Sequence, residues 1–189
     1  MTIHSIFWHE RKRVAYATAT TGGRLATCRD SNRQRSYDCE NKHLRPLSGK
    51  FADRQAAKGF ARLCANIAIR RMVEKGLIKD EATRATVRGS FTAAFTKEST
   101  GHCNANSTGA YFAAWGWTDA IIAHEVAHWA DQWAHKLSVS GWNMSASYEP
   151  HGPKWRGWFT YLLCAASDRF TVEGVKRAWA TDRLPITMP

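Results

Sequence analysis

The sequence has few features of a disulfide-bonded, zinc-ribbon or membrane-embedded protein. Its five cysteines are odd in number and widely spaced, and none forms a C-x-x-C pair, which argues against a zinc ribbon and a disulfide framework. No apolar run approaches the roughly 18 to 20 residues of a membrane span. The apolar core of a signal peptide is also missing, because the charged residues 10–13 follow the start almost at once. We therefore expect a soluble protein of a reducing compartment, with no membrane partner.

Acidic residues are scarce, and the excess of positive charge is uneven. The chain of 189 residues has a net charge of +11, and its first 60 residues carry 12 Lys and Arg against 5 Asp and Glu. Residues 121–189 carry 7 against 6 and are nearly neutral. A basic segment of this kind indicates an anionic partner, most commonly nucleic acid, although solubility alone is the simpler alternative.

The order of predicted elements indicates an α+β fold. We predict a basic, partly irregular N-terminal extension over residues 1–50, with a short strand near 14–18 and many turn-forming residues in 22–50. The domain itself covers residues 51–189. Its predicted helices are 53–76, 118–136, 153–166 and 172–180, and its predicted strands are 91–96, 101–106 and 111–115. The strands would form a small antiparallel three-stranded sheet packed with the helices.

The segment from His124 to His128 reads H-E-x-x-H within the predicted helix 118–136, which Thr118 can cap. Positions i and i+4 share one face of a helix, so the two histidines can bind one ion. Two neutral imidazoles suit Zn²⁺, and Glu125 can act as a general base on a water that the ion activates. The alternative is that both histidines are ordinary core or surface residues.

A catalytic zinc site needs a third protein ligand and an open position for water. His135 returns to the same helical face, but it lies roughly 10 Å along the axis from His128, too far to share an ion. His151 follows His128 after 22 intervening residues, enough for a loop to return it to the motif helix. Pro153 then suits the first position of a new helix. His151 is therefore a candidate for the third ligand beside His124 and His128.

Two motifs together resemble the SprT-like, or Spartan, zinc metalloproteases. They are H-E-V-A-H-W, which begins at His124, and H-G-P-K-W-R, which begins at His151. The resemblance covers about residues 55–165 and implies a zincin-like fold, one zinc ion per chain held by the three histidines, and Glu125 as the general base. Many bacterial members carry a C-terminal zinc ribbon, and this chain resembles a minimal form without one, because only Cys164 lies beyond the site.

The resemblance implies a zinc-dependent metalloendopeptidase whose substrates are proteins associated with or crosslinked to DNA. Such a protein would work in the cytoplasm, beside a nucleoid or, for a viral protein, in the host cytoplasm. One alternative is a non-catalytic DNA-binding module stabilised by zinc. Another is a regulated peptidase with a dedicated protein substrate and no role at DNA.

Several supporting roles stay open at the level of sequence. Donors to the oxyanion of the transition state could be Tyr148, Arg156 and Tyr161. The predicted strand 111–115 is the expected edge for binding substrate as an added strand. Asp131 is expected to support a metal-binding histidine without binding the metal itself, or to be exposed to solvent. A second metal site could include Cys28, Cys39 and His43, although free thiols are the default expectation for the cysteines. Trp142, in a predicted loop, could be exposed.

Overall fold

The computed structural model describes residues 32–97, 101–139 and 148–189, and within these ranges the chain forms six α-helices and three short strands. The helices are α1 (Arg33–Cys39), α2 (Arg54–Glu74), α3 (Glu81–Ser90), α4 (Asp119–Ser138), α5 (Pro153–Ala166) and α6 (Val172–Thr181). The strands are β1 (Thr92–Phe95), β2 (Asn104–Asn106) and β3 (Gly109–Phe112). The predicted α+β class is confirmed.

The sheet is mixed, so the predicted antiparallel arrangement is wrong in one of its two pairings. The strand order is β1-β3-β2, with β3 parallel to β1 and antiparallel to β2. The two-residue connection Ser107–Thr108 turns the chain back directly, which makes β2 and β3 antiparallel. The connection after β1 instead reaches the far edge of the sheet and leaves a gap that β3 fills. The last strand of the three therefore lies in the centre.

Local capping accounts for most helix starts. The hydroxyl of Thr118 accepts a hydrogen bond from the backbone of Ile121, as predicted for the first turn of α4. Pro153 occupies the first turn of α5, again as predicted. Helix α3 was not predicted, because it has few apolar residues and Val87 is its one buried residue. The carboxylate of Asp80 caps this helix and was the available signal.

Residues 33–47 are helical, which corrects the predicted irregular stretch 22–50 over this part. After α1, the chain continues through a π-helical turn, Glu40–Leu44, and a 3-10 turn, Arg45–Leu47. Cys39 and Leu44 are buried in the same core as α2 and α4, and this tertiary packing outweighs the weak local preference. The predicted strand at 14–18 and Cys28 lie outside the described residues, and the division at residue 50 remains a prediction.

Helix α4 packs against both α2 and α5, which also contact each other. The tryptophans Trp129, Trp155 and Trp179 are fully buried in the core. Trp115 is 42% exposed, while Trp142 lies outside the described residues. No helix in the described ranges is both long enough and apolar enough to cross a membrane.

Candidate metal centre

Three histidines converge where α4 meets the start of α5. The Nε2 atom of His151 lies 3.1 Å from Nε2 of His128 and 3.4 Å from Nε2 of His124. Two nitrogens about 2.05 Å from a tetrahedral ion lie about 3.3 Å apart, so these separations fit ligands of one ion. One ligand atom from each ring lies within 4.8 Å of the others. The structure therefore brings together the three predicted histidines closely enough to bind a metal ion.

The turn before α5 sets the position of His151. Its φ angle is 51°, in the left-handed region that costs a non-glycine residue of order 1–3 kcal/mol. Its carbonyl oxygen accepts a hydrogen bond of 2.5 Å from Nη1 of Arg156. A Cβ added at Gly152 would lie 2.9 Å from the carbonyl oxygen of Glu149, so the tight turn requires a glycine there. The glycine that follows His151 is therefore required by the backbone of this turn.

None of the three candidate oxyanion donors lines the cleft beside the histidines. Arg156 is fully buried and binds the carbonyls of His151 and Pro185. Tyr148 is buried, with its ring 5.5 Å from that of His135, and Tyr161 packs against Trp158. Arg156 is therefore a structural clamp for the turn that carries His151.

Glu40 is the main site residue that the sequence did not indicate. Its carboxylate is fully buried, and both oxygens lie 3.0 Å from Nδ1 of His124. A neutral imidazole that binds a metal through Nε2 carries its proton on Nδ1, so Glu40 would accept that hydrogen bond. This contact fixes the ring orientation and leaves Nε2 facing His151. The residue comes from the π-helical turn, 84 positions earlier in the chain.

Substitution of Glu40 tests this supporting role. We expect Glu40→Gln to weaken metal binding by about 10- to 100-fold, because the ring of His124 loses the carboxyl group that orients it. A competition titration with a metal-sensitive dye measures the change. Glu81→Gln, an exposed change of the same chemistry on α3, is the matched control. Equal affinity in the two variants would show that Glu40 only fills space.

Aromatic rings enclose the histidines on two sides. Tyr37 of α1 stacks on His124 with ring centroids 5.4 Å apart and meets His151 edge-on at 5.2 Å. On the other side, Trp155 stacks on His128 at 5.0 Å. These rings hold the imidazoles in place and lower the local dielectric around them.

Burial sets the protonation of the centre. Burial lowers the pKa of His128 well below its usual value, and the neighbouring His124 and His151 lower it further. The ring is therefore neutral near pH 7, as a metal ligand must be. Burial also raises the pKa of Glu125 to about 8, with the charge of Glu40 adding to the effect.

A cleft of about 640 Å³ opens onto His124 and Glu125. Residues of α1 form one wall, and β2 with Trp115 forms the other. The predicted substrate edge, 111–115, is wrong: β3 is the central strand, and β2 is the edge strand beside the motif helix. The physical reason is that β3 pairs between β1 and β2, in the gap that the connection after β1 leaves.

The remaining predicted site residues lie apart from the three histidines. Asp131 is buried beside Tyr148 and Lys154, and burial raises the pKa of its carboxyl to about 7. Within the described ranges, no other group of three metal-ligating side chains comes together. Cys39 and His43 therefore form no second centre with other described residues.

Comparison with known proteins gives no further guide to this site. No family model, curated protein or solved structure matches the chain. The geometry of the three histidines, with Glu125 and Glu40, therefore carries the functional argument.

Proposed function

We propose that this chain is a zinc-dependent metalloendopeptidase of the SprT-like kind that cleaves proteins bound or crosslinked to DNA. The observation that carries the proposal is the convergence of three imidazole groups at one point, with His124 and the adjacent Glu125 lining an open cleft. A purely structural zinc site has no use for that carboxylate or for access from solvent. Both features are typical of a catalytic site.

The donor set favours zinc as the ion. His124, His128 and His151 supply three neutral nitrogens, which zinc accepts readily, and a fourth position would stay open toward the cleft. When bound, zinc supplies a Lewis acid that lowers the pKa of a water toward about 7 and polarises a peptide carbonyl.

Glu125 would move the proton in this reaction. Its side chain is 6% exposed and lines the cleft next to His124. The raised pKa means that this carboxylate holds a proton more firmly than an exposed glutamate. It would take a proton from the attacking water and return it to the leaving amine. Tyr37, the phenol that the cleft presents, is the donor we favour for the oxyanion.

The substrate would bind in an extended form along β2. One edge of this strand pairs with β3, and Asn104, Ala105 and Asn106 line the cleft. An unfolded segment added to this edge would make main-chain hydrogen bonds that do not depend on sequence. Loosely folded proteins are therefore the expected substrates.

Cleavage assays with and without metal and DNA test the proposal. Zinc-loaded protein should cleave an unfolded protein, a chelator should stop the cleavage, and added zinc should restore it. Single- or double-stranded DNA should raise the rate, and the rise should shrink as salt increases, because the contribution of the basic N-terminal region is electrostatic.

The two alternatives give different results in the same assay. A zinc-stabilised DNA-binding module would bind DNA without cleaving any protein. A peptidase with a dedicated substrate would show no DNA affinity at moderate salt and no stimulation. Either result would replace the proposed function.

A further inference from the structure

The walls of the cleft carry positive charge that the hydrolytic chemistry does not use. Of the described residues that line it, Arg33 and Arg45 are cationic, and Glu125 is the one carboxylate. Glu40 lies behind the ring of His124, where it is fully buried and out of reach of a ligand in the cleft. Among the described residues, a substrate would therefore meet two guanidinium groups and no acidic side chain other than the general base.

Arg33 is held at the mouth of the cleft, near the histidines. It lies one helical turn before Tyr37, and its guanidinium carbon is 5.5 Å from the centroid of that ring. The Tyr37 ring in turn lies 5.4 Å from the ring of His124. The cation–π contact restrains a long side chain that would otherwise move freely, while the residue stays exposed to a ligand.

Arg45 has a different position and is less free to bind substrate. Its Nη2 atom lies 3.9 Å from the buried carboxylate of Glu40, and its side chain is 31% exposed. It therefore adds positive potential to the cleft, but its guanidinium group already interacts with the carboxyl group of Glu40. Arg33 is the cation with an open side toward the cleft.

We propose that this cleft selects acidic segments, with Arg33 binding an Asp or Glu side chain within two or three residues of the scissile bond. The inference rests on the proposed peptidase function and names its substrate preference. The ring contacts of 5.4 Å and 5.5 Å place the guanidinium of Arg33 no more than about 11 Å from the ring of His124. An extended peptide advances about 3.3 Å per residue, so that separation is at most about three residues of substrate. Guanidinium and carboxylate form paired, charge-assisted hydrogen bonds, while a lysine at the same position is repelled.

Matched peptides measure this preference. Quenched fluorescent peptides of one sequence, with Glu, Gln or Lys at a single position, are placed in turn at each of three positions on either side of the cleaved bond. We expect kcat/KM for the best Glu peptide to exceed that of its Lys counterpart by about tenfold or more, which corresponds to 1.4 kcal/mol. The ratio should fall as ionic strength rises from about 0.05 to 0.5 M, because the mouth of the cleft is open to solvent.

Charge reversal at Arg33 assigns the preference to that residue. Arg33→Glu should reduce the Glu-to-Lys ratio to one or below, and Arg33→Lys should retain most of it. Arg62→Glu makes the same charge change on an exposed face of α2, away from the cleft, and should leave the ratio unchanged. Each result is a ratio of two kcat/KM values measured on one variant, so a general loss of activity would leave the ratio unchanged.

Three outcomes would overturn this inference. They are a ratio near one in the unchanged protein, a ratio that Arg33→Glu does not alter, and competition in which a short single-stranded oligonucleotide displaces the peptide from the cleft. In each case peptides are still cleaved and the proposed function stands. Failure of the proposed function is distinct, because no peptide of any charge would then be cleaved by zinc-loaded protein.

Discussion

Glu125→Gln is expected to lower kcat by about 10²- to 10⁴-fold while zinc stays bound. The amide keeps the size of the side chain but cannot take the proton of the attacking water. The three histidine ligands are untouched, so the zinc content should remain at one ion per chain. Hydrolysis of a quenched peptide, together with metal analysis of the same sample, measures both quantities.

A second glutamate provides the control. Glu173→Gln makes the same chemical change on the exposed first turn of α6 and should retain full activity. If Glu125→Gln cleaved substrate as fast as this control, the carboxylate of the motif would have no part in the reaction. The zinc endopeptidase mechanism would then be wrong even if the metal were present.

His151→Ala is expected to weaken zinc binding by more than about 100-fold and to abolish cleavage. Loss of a direct ligand should exceed the 10- to 100-fold typical for residues that only support one. His135→Ala removes a histidine from α4 outside the three-histidine group and should leave zinc affinity unchanged. Titration with a metal-sensitive dye compares the two variants with the unchanged protein.

The backbone at position 151 calls for a second substitution. A φ of 51° disfavours alanine, so part of any loss in His151→Ala could come from the turn itself. His151→Asn tolerates this conformation better and should lose zinc to a similar degree. Wild-type affinity in either variant, with native circular dichroism, would show that His151 is not a ligand.

Four of the six described helices, α2, α4, α5 and α6, were predictable because their signals are local. Helix α2 has an apolar face, and Asp53 caps it through the backbone of Ala56. The spacing of His124 and His128 on α4 then gave two ligands, and the short pattern at His151 gave the third. Each of these features needs only a few neighbouring residues to be recognised.

The surroundings of the site were not predictable because they depend on distant contacts. Glu40 reaches His124 from a segment whose sequence favours turns, and nothing nearby indicates that it would be buried. Tyr37 covers the same ring only because α1 docks on the core through Cys39. The order of the strands likewise could not be predicted, because the apolar pattern of each strand does not say which strand lies beside it.

X-ray absorption at the zinc edge tests the central claim most directly. On purified, zinc-loaded protein, the account predicts one zinc per chain with three imidazole nitrogens at about 2.0–2.1 Å and one further light atom. A shell of sulfur near about 2.3 Å would contradict it, because the metal would then sit on cysteines instead of on His124, His128 and His151.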